Sequence, residues 1–180
     1  MLKIEFPETE CWDENLEQFV TQKKTVLQLE HSLVSVAKWE AKWKKPFLDK
    51  SNKTPEETID YIRCMTITQN VDPSVYSRID DKIVEQVKNY ISDSMTATWF
   101  SDTKPKGRSR EIITAELVYY WMIALNIPFE CQKWHFNRLL TLIQVCNIKN
   151  NPGKKMSRNE ILRNNQAINE ARRKAMKTRG

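Results

Sequence analysis

The chain has 180 residues, 40% apolar and 29% charged, with 29 Lys/Arg against 23 Asp/Glu for a formal net charge of +6. That length suits one domain, and six Trp, six Phe and five Tyr supply the bulk for a core. Only three glycines occur (Gly107, Gly153 and Gly180), which argues against a glycine-rich phosphate loop, and no apolar run is long enough to span a bilayer. Met1–Phe6 leads into Pro7 and acidic residues instead of a signal-type apolar core, so the expectation is a soluble intracellular protein.

In chain order, Leu2, Ile4 and Phe6 alternate with Lys3 and Glu5, the period of a half-buried strand. Glu17–Thr21 and Thr25–Glu30 are further strand candidates, and Gln22-Lys23-Lys24 between them is read as a hairpin turn. Ser32 is a candidate N-cap for a helix over Leu33–Lys44, halted by Pro46. Thr54-Pro55-Glu56-Glu57 is a capping box with Pro at the first helical position, predicting a helix over Pro55–Ile67. Asp72-Pro73 opens a short helical turn, and Asp80–Ser92 places Ile83, Val84, Val87 and Ile91 on one helix face. Ser101–Arg108 reads as a polar loop. Arg110–Asn126 is apolar nearly all round after Glu116, which predicts the central helix. Gln132–Cys146 reads as a second buried helix, packed antiparallel on the first across a short connection.

Charge then divides the chain at Lys149. Ten Lys/Arg and two Glu lie from Lys149 to Gly180, a net +8, so the preceding residues carry −2. The expected architecture is therefore mainly α (α+β): a multi-helix domain over 1–148 with a small N-terminal β-hairpin or meander within about 2–30, and a basic helical arm over 149–180. Ser157-Arg158-Asn159-Glu160 is another capping box, predicting a helix from Arg158 to about Lys177 with one thin apolar stripe.

Few residues suggest catalysis. Glu30-His31-Ser32 combines carboxylate, imidazole and hydroxyl, but neighbours on a strand face opposite ways, so capping or turn duty is the plainer reading. Glu130 and His135 are five apart, which does not align them on a helix, and His135 fits the rim of a core. Cys11, Cys64, Cys131 and Cys146 form no Cys-x-x-Cys pair and read as buried free thiols. No paired carboxylates or metal cluster stand out, so neither enzyme activity nor a cofactor is expected. Trp39 and Trp43 share a helix face, where the alternatives are packing against the next helix and anchoring a protein partner. The basic arm suits nucleic acid by charge, yet it has no aromatic residue to stack on bases, and an acidic protein surface is an equal match.

Three segments carry a family resemblance: Leu29–Glu40 (Leu-Glu-His-Ser-Leu-Val-Ser-Val-Ala-Lys-Trp-Glu), Ile112–Cys146 with Ile127-Pro128-Phe129-Glu130-Cys131-Gln132-Lys133-Trp134-His135 at its centre, and Lys155-Met156-Ser157-Arg158. From about Val26 onward the chain resembles the tail assembly chaperones of tailed bacteriophages. The resemblance implies a non-catalytic protein of the infected host's cytoplasm. It would bind the apolar-striped helical tape-measure protein and help recruit tail-tube subunits, with self-association a further possibility and no membrane partner. By residue type alone, Trp39, Trp43, Trp99, Arg172, Arg173 and Lys174 are the candidate partner-binding residues. The alternatives are a nucleic-acid-binding protein using the arm, and a permanent virion component such as a connector or decoration protein.

Overall fold

A computed structural model describes residues 1–13, 17–49, 51–100 and 112–150, together with Gln166. The Ser101–Arg108 loop, the helix expected from Arg158 and the side chain of Cys11 lie outside the described residues. The chain divides into two units, Met1–Gln144 and Val145–Gly180, and the fold below is that of the first. It is mainly helical, and among the described residues its β-strands lie within the first thirty.

The alternating N-terminal residues form β1 (Leu2–Phe6), which pairs antiparallel with β4 (Thr25–Leu29). Leu2 stands opposite Leu29 and Ile4 opposite Leu27, so the buried members of both strands meet on one face. β2 (Thr9–Asp13) pairs with β3 (Gln18–Gln22), Thr9 opposite Gln22 and Trp12 opposite Phe19. Both ladders have the same offset, so they are two halves of one long hairpin, interrupted where Pro7-Glu8 faces Lys23-Lys24. Pro7 falls at a register position whose backbone points away from the partner strand, where its missing N–H costs no ladder bond. The turn expected at Gln22-Lys23-Lys24 is thus overturned: the chain continues from β3 into β4, and the hairpin's two arms are joined between Asp13 and Gln18, with Glu17 at φ 47°.

α1 (Leu33–Trp43) begins as the sequence predicts. Ser32 Oγ accepts the Ser35 N–H while Ser35 Oγ accepts the Ser32 N–H, a reciprocal box that satisfies two otherwise orphaned donors. Lys44, in the left-handed region at φ 53°, ends the helix before Pro46 is reached. α2 (Pro55–Met65) starts from the Thr54/Glu57 box, and the 3-10 helix Pro73–Arg78 and α3 (Asp81–Ser92) start from Asp72 and Asp80. α1 packs against α2, and Leu27 and Leu29 of β4, Leu33 and Val36 of α1, and Ile62 and Met65 of α2 are all essentially buried. Each such side chain removed from water contributes about 1.5–3 kcal/mol.

The last two helices depart from expectation. α4 (Ala115–Ala124) starts at the Thr114 cap instead of at Arg110, and its main neighbour is α1, in place of the antiparallel α5 partner expected. Only Ala115, Val118 and Met122 of α4 are buried, so it is a surface helix and not the central one. α5 (Phe136–Asn150) starts later than Gln132, because Phe129–Lys133 forms a separate 3-10 helix and Trp134 is extended. Cys131 is buried, whereas Cys64 and Cys146 are only half-buried; all three are free thiols.

One buried carboxylate ties these parts together. Glu40 of α1 accepts the Phe47 N–H on Oε1 and the Ala115 N–H on Oε2, each at 2.7 Å. It thereby fixes the loop after α1 and neutralises a free donor at the positive end of α4. Glu40→Gln turns one acceptor into an N–H donor aimed at a backbone donor. It should lower the unfolding free energy by about 2–3 kcal/mol at unchanged m-value in urea; a loss under about 0.5 kcal/mol would show that the carboxylate does not hold the two segments.

Candidate functional site

The segments that carry the histidines come together at the start of α1 and of α5. Phe136 N–H donates to His31 O at 2.7 Å, and Ser32 and His135 form an isolated antiparallel bridge. The His31 and His135 rings, 1% and 6% exposed, meet edge to face with centroids 5.1 Å apart. Tyr61, Phe47 and Phe136 complete an aromatic wall around His31.

The Tyr61 hydroxyl lies 2.5 Å from His31 Nδ1 and 3.4 Å from Ser35 Oγ, while Ser35 Oγ donates to Ser32 O at 2.7 Å, so His31 shares a buried hydrogen bond with Tyr61. His135 Nε2 lies 3.0 Å from the Tyr90 carbonyl oxygen, an acceptor, so that nitrogen carries the proton. Its Nδ1 is buried without a partner. Asn137 Nδ2 donates to Ile91 O and Asp93 O, so the first turn of α5 caps the C-terminal end of α3.

Glu30, His31 and Ser32 each face a different partner. Glu30 Oε1 accepts the Tyr90 hydroxyl at 2.7 Å, His31 meets Tyr61, and Ser32 caps α1, so no relay links the three. Burial, with His135 as the second cause, pushes the His31 imidazole down to about 3, and burial pushes the Tyr61 phenol well above its ordinary range. Neither group exchanges a proton near neutrality, and the cluster acts as a dry polar joint. Among the described residues no group of three or more His, Cys, Asp or Glu is placed to hold a metal ion, and no helix is long and apolar enough to cross a membrane.

The candidate binding residues separate sharply. Trp39 is 1% exposed and donates its indole N–H to Glu57 O at 2.9 Å, so as a surface anchor it is ruled out by its place in the core. Trp43 is half-buried against α2, its indole N–H bonded to Asp60 Oδ2 at 2.9 Å, with Lys42 on the other carboxylate oxygen. Burial raises the Asp60 carboxyl, but those two donors outweigh it and hold the group below its ordinary value. Trp99 is 83% exposed. Arg172, Arg173 and Lys174 lie outside the described residues.

One exposed apolar surface among the described residues is one that sequence reasoning missed. α4 turns Tyr120 and Ile123 outward, 63% and 61% exposed, and along its flank the Tyr119 ring lies 6.5 Å from exposed Phe129. Tyr119 is anchored there by its hydroxyl, which donates to Gln132. Because α4 is apolar nearly all round after Glu116, its sequence contains no polar stripe to mark the solvent face. Trp12 and Phe19, also exposed, pack edge to face across β2 and β3 at 5.2 Å, a pairing visible only once the register is known. The chain matches no protein-family model, no curated protein and no solved structure.

The His31 joint has a measurable consequence. The imidazole titrates near 6.5 when unfolded but only near 3 when folded, so between those values the unfolded chain binds more protons. Stability is complete above about pH 6.5 and is lost as pH falls toward 3; at pH 5 the loss is about 2 kcal/mol. His31→Asn, which keeps an acceptor for Tyr61, should flatten the pH dependence of urea unfolding between pH 7 and 5. An unchanged slope in this variant would assign the proton to another group.

Proposed function

We propose that the chain is a non-catalytic assembly factor, a tail assembly chaperone that works in the cytoplasm of an infected host. Its partners on this reading are the tape-measure protein and, secondarily, tail-tube subunits. The observation that carries the reading is the outward face of α4, where Tyr120 and Ile123 stand in water on a helix with almost no polar residue. An apolar surface helix of this kind is stable in water but gains from being covered, and a second amphipathic helix is the natural cover. Tyr120 offers a large, stiff contact of the sort that dominates binding energy, and exposed Glu116 and Glu130 supply charged margins. The sequence resemblance adds the identity of the covering helix: a tape-measure segment whose own apolar stripe needs protection before assembly.

The test is a pull-down of the tagged full chain from infected cells, with nuclease treatment and a salt series. A long helical tail protein should co-purify, indifferent to nuclease and to moderate salt. The double variant Tyr120→Asp, Ile123→Asp should fold normally and recover about tenfold less of it, or lower still. Recovery of nucleic acid that declines steeply with salt would instead favour the basic arm. Stoichiometric presence of the chain in purified particles would make it a permanent virion component.

A further inference from the structure

A second surface, sharing no residue with α4, lies beside the long hairpin. In an antiparallel strand the N–H and C=O of alternate residues point away from the paired neighbour. On β4 the outward-facing residues include Val26 and Gln28. Ile67 N–H donates to Gln28 O at 2.8 Å, and Leu29 and Thr66 form an isolated antiparallel bridge, so Thr66-Ile67-Thr68 makes a short contact along this edge. Thr68 finishes it with a side chain: its hydroxyl donates to Val26 O at 3.2 Å and accepts the Gln28 N–H at 2.8 Å. Asn70, in the left-handed region at φ 54°, then turns the chain away. The edge beyond Thr68 is left without a neighbouring strand, and a groove of about 930 Å³ opens there between Gln22–Val26 and the Gln69–Arg78 segment.

The groove's chemistry is specific. Lys23, Lys24 and Arg78 line it with Asp72 as the one acid. Asp72 is engaged in capping, accepting the Ser74 N–H at 2.8 Å, and that bond holds its carboxyl below the ordinary value. Two polar atoms of the lining are buried without partners: the Gln22 carboxamide oxygen and Arg78 Nη1. The rest of the Arg78 side chain is held in place, with Nη2 donating to Pro7 O and the guanidinium over the Phe6 ring. A preset, half-satisfied guanidinium beside an open strand edge is suited to a carboxylate on an extended chain.

We propose that this groove is a strand-addition site: it takes an extended, acidic peptide segment of a partner protein alongside Gln22–Val26, in line with Thr66–Thr68. Backbone bonds to the open edge supply affinity, and Lys23 and Arg78 select acidic side chains. The chain's own segment from Lys149 onward, at net +8, has the wrong charge to fill it. Single-stranded nucleic acid is the poorer match, since it needs aromatic faces for stacking and the groove offers one indole, Trp12, already packed against Phe19.

The experiment uses the full chain, ¹⁵N-labelled, with a short fluorescent peptide of alternating Glu and Val, its Lys/Val counterpart, and a single-stranded oligothymidylate. The Glu/Val peptide should bind and shift the amide signals of Gln22, Val26 and Thr68. Lys23→Glu and Arg78→Gln should each weaken it about tenfold or more. If Arg78→Gln, which also loses its bond to Pro7, does not fold, Lys23→Glu, at an exposed site, decides the matter alone. Absence of binding, equal binding of the Lys/Val peptide, or shifts confined to other residues would overturn the proposal. Salt-sensitive binding of the oligothymidylate at these residues, in preference to the peptide, would overturn it as well.

Discussion

A carboxylate taken out of water must be compensated, and Glu40 is compensated by two backbone donors from segments far apart in sequence, Phe47 and Ala115. That requirement runs through the rest of the helical body. The loop after α1 must return close to the helix, which brings Phe47 against Trp39, His31 and Tyr61. The first residue of α4 must sit on the opposite side of the same carboxylate, which lays α4 along α1. Once α4 is held by its N-terminus, its buried stripe is set as Ala115, Val118 and Met122, and the remaining apolar residues are left to face outward.

The joint around His31 solves a similar problem without ionised groups. Three helices and a strand converge where their termini would leave unsatisfied backbone groups. Neutral side chains meet this demand: Tyr61 bonds His31, His135 bonds the Tyr90 carbonyl, and Asn137 covers the last carbonyls of α3. Keeping the His31 imidazole uncharged is what allows it to lie 5.1 Å from the His135 ring in a buried setting. The chemistry that would make such a pair reactive is the chemistry burial removes, which turns attention from the histidines to the surface. There the molecule offers two unlike faces: an apolar helix and a polar groove along a strand edge.

Local signals read well wherever one residue type has one local job. Ser32, Thr54, Asp72 and Asp80 each mark a helix start that the structure contains, because a side-chain oxygen bonding an N–H two or three residues on is decided within a single turn. The alternation of Leu2, Ile4 and Phe6 likewise reports a strand with one buried face. Signals that depend on a distant partner failed. The hairpin reversal was misplaced to Gln22-Lys23-Lys24, since only the pairing of Gln22 with Thr9 and of Thr25 with Phe6 reveals that the chain runs straight through. The tryptophans at 39 and 43 look alike in sequence, yet Glu57 and Asp60 of α2 give them different depths.

By itself, then, the sequence determined the helical character of the body, the small N-terminal β element, most helix starts and the concentration of positive charge after Lys149, because propensity, capping and charge are properties of neighbours along the chain. Tertiary structure alone decided which face of α4 meets water, that His31 and His135 share a joint, and that a strand edge stays open beside Arg78. Each of these depends on what lies opposite. A helix apolar nearly all round has no preferred side until a buried Glu40 seats it, and a strand edge is open or closed only according to where Thr68 ends and Asn70 turns away.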